Sequence, residues 1–336
     1  MSSHPYETLT PDVVLDALAS TGLYGDGRLM GLSSYENRVY LAHLEEPCQG
    51  HDAVVAKFYR PERWREAQIL EEHAFAEELM AAEIPAVGPL TLHGATLHQF
   101  GGFAFSVSPR RGGRAPELDD PEVLEWIGRF LARIHTVGAR APFATRPALD
   151  LQSFALEPRD WLLTHQAIPL DVQALWNEAC GRAIALVGER VRWSGGRAND
   201  TPYRLLRLHG DCHPGNILWT PDQGPHFVDL DDARTGPAVQ DLWMLLSGDR
   251  LQQQRQLGAL LDGYEQFREF DRAELALIEP LRTLRLIHYS AWLARRWDDP
   301  AFPRAFPWFG SSDYWQGQVQ MLEEQIEAMA QEPLVA

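Results

Sequence analysis

The sequence predicts an α+β protein of two lobes: a small antiparallel β lobe with one helix over residues 1–108, and a larger, mainly helical lobe over 109–336. Three observations predict it. Strand-like runs bounded by turn residues crowd the first third. Apolar residues at helical spacing dominate the rest. A chain of 336 residues, 45% hydrophobic, is long enough for two lobes with a sizeable core.

Residues 37–42 and 53–59 are short β-branched and aromatic runs, parted by a polar turn with Pro47 and Gly50. Residues 66–82 place apolar side chains at Ile69, Leu70, Phe75, Leu79 and Met80, which predicts a helix. A strand-rich stretch follows, with turn signals at Gly88-Pro89, Gly94 and Gly101-Gly102, and ends in the run 103–108. Residues 109–113 break the pattern and mark the lobe boundary. Beyond them, Val123, Ile127, Phe130, Leu131 and Ile134 give 121–137 a helical face. Helical patterns return at 171–192, 241–246, 252–270, 279–297 and 314–331. One strand-like island, 205–228, interrupts them and carries the chemistry. No internal repeat is present.

The formal net charge is −17, which excludes nucleic acid and anionic membranes as partners, since both need a basic face. Aromatic residues make up 10% of the chain, so long disordered stretches are not expected. Cys48, Cys180 and Cys212 are too few and too scattered for a disulfide framework or a zinc site, and suit a reducing cytoplasm. The first ten residues are polar and do not form a signal peptide, and no apolar run approaches the roughly 18 residues of a membrane span. A cytoplasmic monomer is expected.

Of the 30 basic residues, 29 are arginine and one, Lys57, is lysine. Arginine is a wide planar fork and lysine a compact point charge. A lysine kept in such a background marks a place where that difference matters, such as a tight phosphate site.

The segment Leu208-His209-Gly210-Asp211-Cys212-His213-Pro214-Gly215-Asn216-Ile217-Leu218 sets an Asp and an Asn five residues apart after a short strand. That is the spacing of a kinase catalytic loop. Phosphoryl transfer needs a carboxylate to orient the acceptor hydroxyl and take its proton, here Asp211. It also needs Mg²⁺ on the phosphate oxygens, and Mg²⁺ takes carboxylate and amide oxygens, here from Asn216 and Asp229. Asp229 ends the apolar strand His226-Phe227-Val228, where the second metal carboxylate of a kinase belongs. Asp231 and Asp232 add two more carboxylates, a crowding that favours a nearby cation. Upstream, Val54-Val55-Ala56-Lys57 fits the strand whose lysine contacts nucleotide phosphates. Glu71 and Glu72, on the following helix, are both open as its partner, with Glu72 favoured for the inner face. The segment 31–40 occupies the place of a nucleotide-binding loop but is not glycine-rich, and Ser33 and Ser34 could cradle phosphate there. Asp241 is expected to be buried and to hold the catalytic loop by hydrogen bonds.

Together these residues resemble the aminoglycoside phosphotransferase-like branch of the protein-kinase superfamily, and within it the bacterial stress response kinase A family. The strings Ser34-Tyr35-Glu36-Asn37-Arg38-Val39-Tyr40, Lys57-Phe58-Tyr59-Arg60-Pro61-Glu62-Arg63-Trp64 and Phe227-Val228-Asp229-Leu230-Asp231-Asp232-Ala233-Arg234 carry the resemblance, with the catalytic loop itself. It implies a cytoplasmic Ser/Thr protein kinase of stress survival, using ATP and Mg²⁺. It implies Asp211 as proton acceptor, Asn216 and Asp229 as metal ligands, and Ser34 at the ATP site. The glycine that follows the metal aspartate in protein kinases is missing, and Leu230 stands for its phenylalanine.

The expected product is a bilobal protein-kinase-like enzyme with ATP between the lobes, adenine against the backbone of 105–108, and a Ser or Thr hydroxyl of a protein as acceptor. A small-molecule kinase acting on an amino alcohol or aminoglycoside shares the same parts, and the acidic chain would suit a cationic acceptor. A nucleotide-binding scaffold is the third reading, opposed by the intact set Lys57, Asp211, Asn216 and Asp229. Only Thr235 offers a hydroxyl between Asp229 and Asp241, so no phosphorylation-gated activation loop is expected. Cys212 is read as a packing residue and His135 as a satisfied core histidine. The Arg-rich aromatic stretch 292–308 is read either as a wall of the acceptor site or as packing.

Overall fold

Helix starts are written locally in this chain. In the computed structural model, which describes residues 4–191 and 203–335, the side chains of Thr10, Asp120, Asp249 and Ser311 each accept a backbone N–H from the first turn that follows. They open α1 (Pro11–Ser20), α3 (Pro121–Gly138), α7 (Arg250–Tyr264) and α10 (Ser312–Ala330). Pro11 and Pro121 sit at the first helical position, where the missing N–H costs nothing. The first third also holds β1 (Gly25–Gly31), β2 (Arg38–Cys48), β3 (His51–Phe58), α2 (Glu66–Ala81), β4 (His98–Phe100) and β5 (Phe103–Pro109). Later come α4 (Glu157–Thr164), α5 (Leu170–Val191), β6 (Leu206–Leu208), β7 (Ile217–Thr220), β8 (Gly224–Phe227) and β9 (Arg234–Gly236). The chain then adds α6 (Val239–Trp243), α8 (Ile278–Ala294) and α9 (Ala301–Ala305).

The residues form two compact units. The first comprises Met1–Glu117, Phe143–Arg146 and His213–Ala233, and the second Leu118–Pro142, Pro147–Cys212 and Arg234–Ala336.

In the first unit, five antiparallel strands run in the order β1-β2-β3-β5-β4. Alternation of side chains across β3 and β5 buries Val54, Ala56, Phe58, Phe103, Phe105 and Val107 in one cluster, with Val14, Ala17 and Leu18 of α1. Phe58 and Phe105 stack at 5.2 Å. The sequence expectation of one helix here is corrected to two: α1 joins α2, and its start signal is Thr10-Pro11. In α2 the buried side includes Ile69, Phe75 and Leu79, whereas Leu70 and Met80 point outward. A ribbon of β7 and β8 completes this unit, and a parallel bridge joins Phe227 to Ala86.

The second unit is helical, with the short pair β6–β9 inside it. α3 and α7 pack at glycines. A β-carbon on Gly128 would lie 2.0 Å from the Leu260 carbonyl oxygen, and one on Gly263 2.0 Å from the Glu125 carbonyl oxygen. Backbones this close leave no room for a methyl group. His135, on the buried side of α3, bonds Tyr264 Oη at 2.9 Å and Asp241 Oδ2 at 3.1 Å.

Candidate active site

The first unit gathers charge around Lys57. β2 and β5 flank β3 on either side, pairing Val39 and Ser106 with Lys57. Lys57 Nζ lies 3.3 Å from Glu72 Oε1, 3.5 Å from Asp229 Oδ1 and 3.6 Å from Asp231 Oδ1. Burial alone would lower the lysine, but the carboxylates of Glu72, Asp231 and Asp229 outweigh it and hold the ammonium well above its ordinary value. Of the two candidate glutamates, Glu71 and Glu72, it is Glu72 that faces the lysine. Glu71 instead accepts the N–H of Thr145 at 2.9 Å and of Arg146 at 2.8 Å, pinning that returning segment.

Behind the lysine runs a buried polar chain. Tyr59 Oη lies 3.1 Å from Ser106 Oγ and 2.7 Å from His73 Nε2, and His73 Nδ1 lies 2.8 Å from Thr96 Oγ1. Burial, then Lys57 and Arg146, push His73 down to about 3, so its imidazole is neutral.

Asp229 takes a left-handed backbone, φ 59 and ψ 63, a conformation that Asp tolerates better than most residues. It lies one residue beyond β8, after Val228, and its side chain is half exposed, with one oxygen toward Lys57. The Val228 N–H donates to the Asn216 carbonyl at 3.0 Å, so the backbones that carry Asn216 and Asp229 are tied together. Asn216 and Asp229 carry an amide and a carboxylate oxygen, the donor types that a hard divalent cation takes.

The crowding of carboxylates at 229–232 has a different cause from the one the sequence suggests. Asp231 is buried and pairs with Arg63 and Lys57, and Asn37 Nδ2 donates to it at 3.1 Å. Arg63 Nη2 also donates to both oxygens of Asp232, at 2.9 and 3.0 Å. Burial would raise Asp231, but Arg63 and Lys57 hold it below the ordinary carboxylate value. Protein cations therefore neutralise Asp231 and Asp232, and Asp229 is the carboxylate turned outward. Arg146 donates to the backbone carbonyls of Ala233, Asp231 and Gln68, bracing the same turn. Ser34 Oγ donates to the Asn37 carbonyl at 3.2 Å and closes its own loop.

The second unit holds Asp211. β6 delivers His209-Gly210-Asp211, and Asp241 anchors the turn: its Oδ2 accepts the His209 N–H at 2.9 Å and its Oδ1 the Gly210 N–H at 2.8 Å. Gly210 has φ 85, a backbone only glycine adopts without strain. Gln240 Nε2 donates to the Gly210 carbonyl at 3.2 Å. Asp241 is fully buried and acts as a brace for the loop. Arg285 of α8 donates to Asp211 Oδ1 at 2.7 Å. Cys212 is fully buried, and burial with the Asp241 and Asp211 charges raises its thiol well above the ordinary value, which disfavours thiolate redox chemistry.

Sequence reasoning missed Arg63, Arg146, His73 and Arg285. Arg63 lies in a string that the family resemblance singles out. His73 ends the string Ile69-Leu70-Glu71-Glu72-His73, which the resemblance also includes. Arg146 and Arg285 carry no local pattern, because these partners are 74 or more residues away in the chain.

Residues 29–278 match the family described as the phosphotransferase enzyme family. The chain is 46% identical over 333 residues to stress response kinase A of Shigella flexneri, covering 99% of this chain and 97% of that one. It is 46% identical over 329 residues to the serine/threonine protein kinase RdoA of Salmonella typhimurium, covering 98% and 96%. Among solved structures it is similar to a microcompartment-associated aminopropanol kinase, with TM-score 0.73 and 18% identity over 96% of this chain and 99% of that one. It is also similar to the amicoumacin kinase hAmiN in complex with AMP-PNP, Ca²⁺ and Ami, with TM-score 0.70 and 19% identity over 97% and 95%. Likeness at those identities shows the fold. With the family matched over most of its length and its relatives over nearly all of it, this chain belongs to the phosphotransferase enzyme family, among the stress response kinase A proteins.

Proposed function

We propose that this chain is a Ser/Thr protein kinase that transfers the γ-phosphate of ATP, with Mg²⁺, to a hydroxyl of a protein substrate. The observation that carries the reading is Lys57, held charged among Glu72, Asp229 and Asp231 at 3.3 to 3.6 Å. A lysine so placed supplies a fixed point charge for nucleotide phosphate oxygens. Asn216 and Asp229 would hold the Mg²⁺, which neutralises charge on the phosphates when bound. Asp211, oriented by the Asp241-braced turn, accepts the proton of the acceptor hydroxyl. The hydroxyl oxygen bonds to the γ-phosphorus, the bond from that phosphorus to the β–γ bridging oxygen breaks, and ADP leaves. Most of the rate then comes from positioning and charge neutralisation. The choice of a protein acceptor rests on the relative named a serine/threonine protein kinase, at 46% identity.

A second reading, phosphorylation of a small cationic alcohol, is favoured by the net charge of −17. Labelled ATP with Mg²⁺ separates the two. We expect acid-stable label on Ser or Thr of protein acceptors, and loss of about 1,000-fold or more in Asp211→Asn. Label on amino alcohols alone supports the second reading. Unchanged transfer in Asp211→Asn removes Asp211 as the base.

A further inference from the structure

Asp211 has a cationic partner in its own unit, on a helix that also carries aromatic side chains, against the acidic balance of the chain as a whole. Arg285 donates from Nη1 to Asp211 Oδ1 at 2.7 Å, and the two side chains are 42% and 22% exposed, so the contact reaches solvent and an incoming group can exchange into it. Arg285 opens a stripe along α8. His288, Tyr289 and Trp292 follow at intervals that share one helix face. His288 stacks on Phe154 with ring centres 4.4 Å apart, and the Arg234 guanidinium lies 4.7 Å from the centre of that same ring. Arg234 pairs with Leu208 in the β6–β9 ladder, the strand that leads into His209-Gly210-Asp211. Tyr289 and Trp292 stack at 5.6 Å. Of the carboxylates on neighbouring stretches, Asp299 is buried and accepts the Ala301 N–H at 3.1 Å, whereas Glu157 is exposed and accepts from Gln152 at 3.2 Å, and Asp160 pairs with Arg159 at 2.7 Å.

A cationic alcohol carries its ammonium a few bonds from its hydroxyl. Delivering that hydroxyl to Asp211 sets the ammonium beside the Arg285 guanidinium, a like-charge contact. A carboxylate next to the hydroxyl instead meets a planar fork that binds it through paired N–H donors. Charges more than about 10 Å away are largely screened at physiological salt, so the guanidinium in contact with Asp211 bears on the acceptor more directly than the net charge of the chain.

We infer that the acceptor is an acidic Ser/Thr segment of a protein, and that Arg285 is the residue that selects it by binding a carboxylate beside the hydroxyl. The inference rests on the proposed kinase reading, with Asp211 as base, and narrows its substrate class.

The test uses the full chain with Mg²⁺ and ATP and three peptide sets, each with one Ser or Thr, flanked by Asp/Glu, by neutral residues or by Lys/Arg. Choline and an aminoglycoside serve as cationic alcohols. Wild type should use acidic-flanked peptides about tenfold better in kcat/KM than neutral ones, with basic-flanked peptides and cationic alcohols poorest. Arg285→Ala should collapse the acidic-to-neutral ratio toward one, mainly through KM. Arg285→Lys should restore part of it, and Arg285→Glu should invert it toward basic flanks. Thermal melts of all three variants establish folding, and the ratio within each variant is independent of the active fraction. Equal use of acidic and basic flanks by wild type, preference for a cationic alcohol, or an unchanged ratio in Arg285→Ala and Arg285→Glu overturns the inference and leaves the phosphotransferase standing. Absence of transfer to every acceptor, or full activity in Asp211→Asn, removes the kinase reading and this inference with it.

Discussion

Lys57 shows why residue identity can be decided by geometry at one atom. Three carboxylate oxygens from Glu72, Asp229 and Asp231 approach a single nitrogen within 3.6 Å. A guanidinium spreads its charge over three nitrogens and needs more room, in a pocket closed by the Tyr59 ring 5.0 Å away. Lys57→Arg should therefore fold but lose kcat/KM by about tenfold to a hundredfold. Steady-state kinetics with saturating Mg²⁺ check this, and near-wild-type kcat/KM would refute the point-charge argument. Glu274 is a second residue whose surroundings set its chemistry. It is buried, accepts the Val239 N–H at 2.9 Å, and is pushed by burial from 4.5 up to about 7. A carboxyl raised in the fold binds its proton there more tightly than in the unfolded chain. Its contribution is thus fully present below pH 4.5 and is lost as pH rises through about 7. The size is roughly 3 kcal/mol. Glu274→Gln keeps an oxygen for Val239 and should flatten this part of the stability curve between those two pH values. Urea melts across that range measure the slope, and an unaltered slope in the variant counts against the assignment.

Elements succeed or fail by what their faces meet. α3 and α7 approach through Gly128 and Gly263, where an added β-carbon would fall 2.0 Å from a backbone oxygen of the facing helix. Backbone cannot swing aside as a side-chain tip can. Gly263→Ala should destabilise the protein by about 2 kcal/mol or more, although alanine favours helix. A Tm equal to or above wild type would show that the helices separate without cost. At this scale the sequence was readable where one face is apolar. α3 follows from Val123, Ile127, Leu131 and Ile134, all buried. It was less readable where periodicity is weak: Leu70 and Met80 fit an apolar pattern but face outward, because α2 turns its charged Glu72 inward toward Lys57. α1 escaped a reading based on apolar runs, although Thr10-Pro11 marks its start. Among the candidate functional residues, Lys57, Asn216 and Asp229 of the first unit and Asp211 of the second stand out as spaced motifs. Arg63, Arg146 and Arg285 do not, because each is placed by carboxylates or carbonyls 74 to 169 residues away, and 29 arginines offer no contrast.

For the whole molecule, chain continuity and spatial membership differ. The unit that carries Lys57 is assembled from three separate stretches, and the later two supply its bracing. Without 143–146, Glu71 loses the N–H groups of Thr145 and Arg146, and the turn at 231–233 loses the Arg146 donors. Without 213–233, Arg63 loses Asp231 and Asp232, Asn37 loses Asp231, and the backbone bonds from Val87 to Phe227 and from Phe227 to Pro85, at 2.9 and 2.8 Å, disappear. Phe227, fully buried, is removed as well. Several buried charges are then left uncompensated, each a loss of about 1–3 kcal/mol, comparable in sum to the whole stability of a small domain. Residues 1–117 expressed alone should therefore not fold cooperatively, despite holding all five strands of the sheet. Circular dichroism and urea titration should give a broad, low-midpoint transition where the full chain gives a steep one. A steep two-state melt of the fragment would show that the sheet core around Phe58 and Phe105 suffices, and that the returning segments serve the site without being needed for the fold.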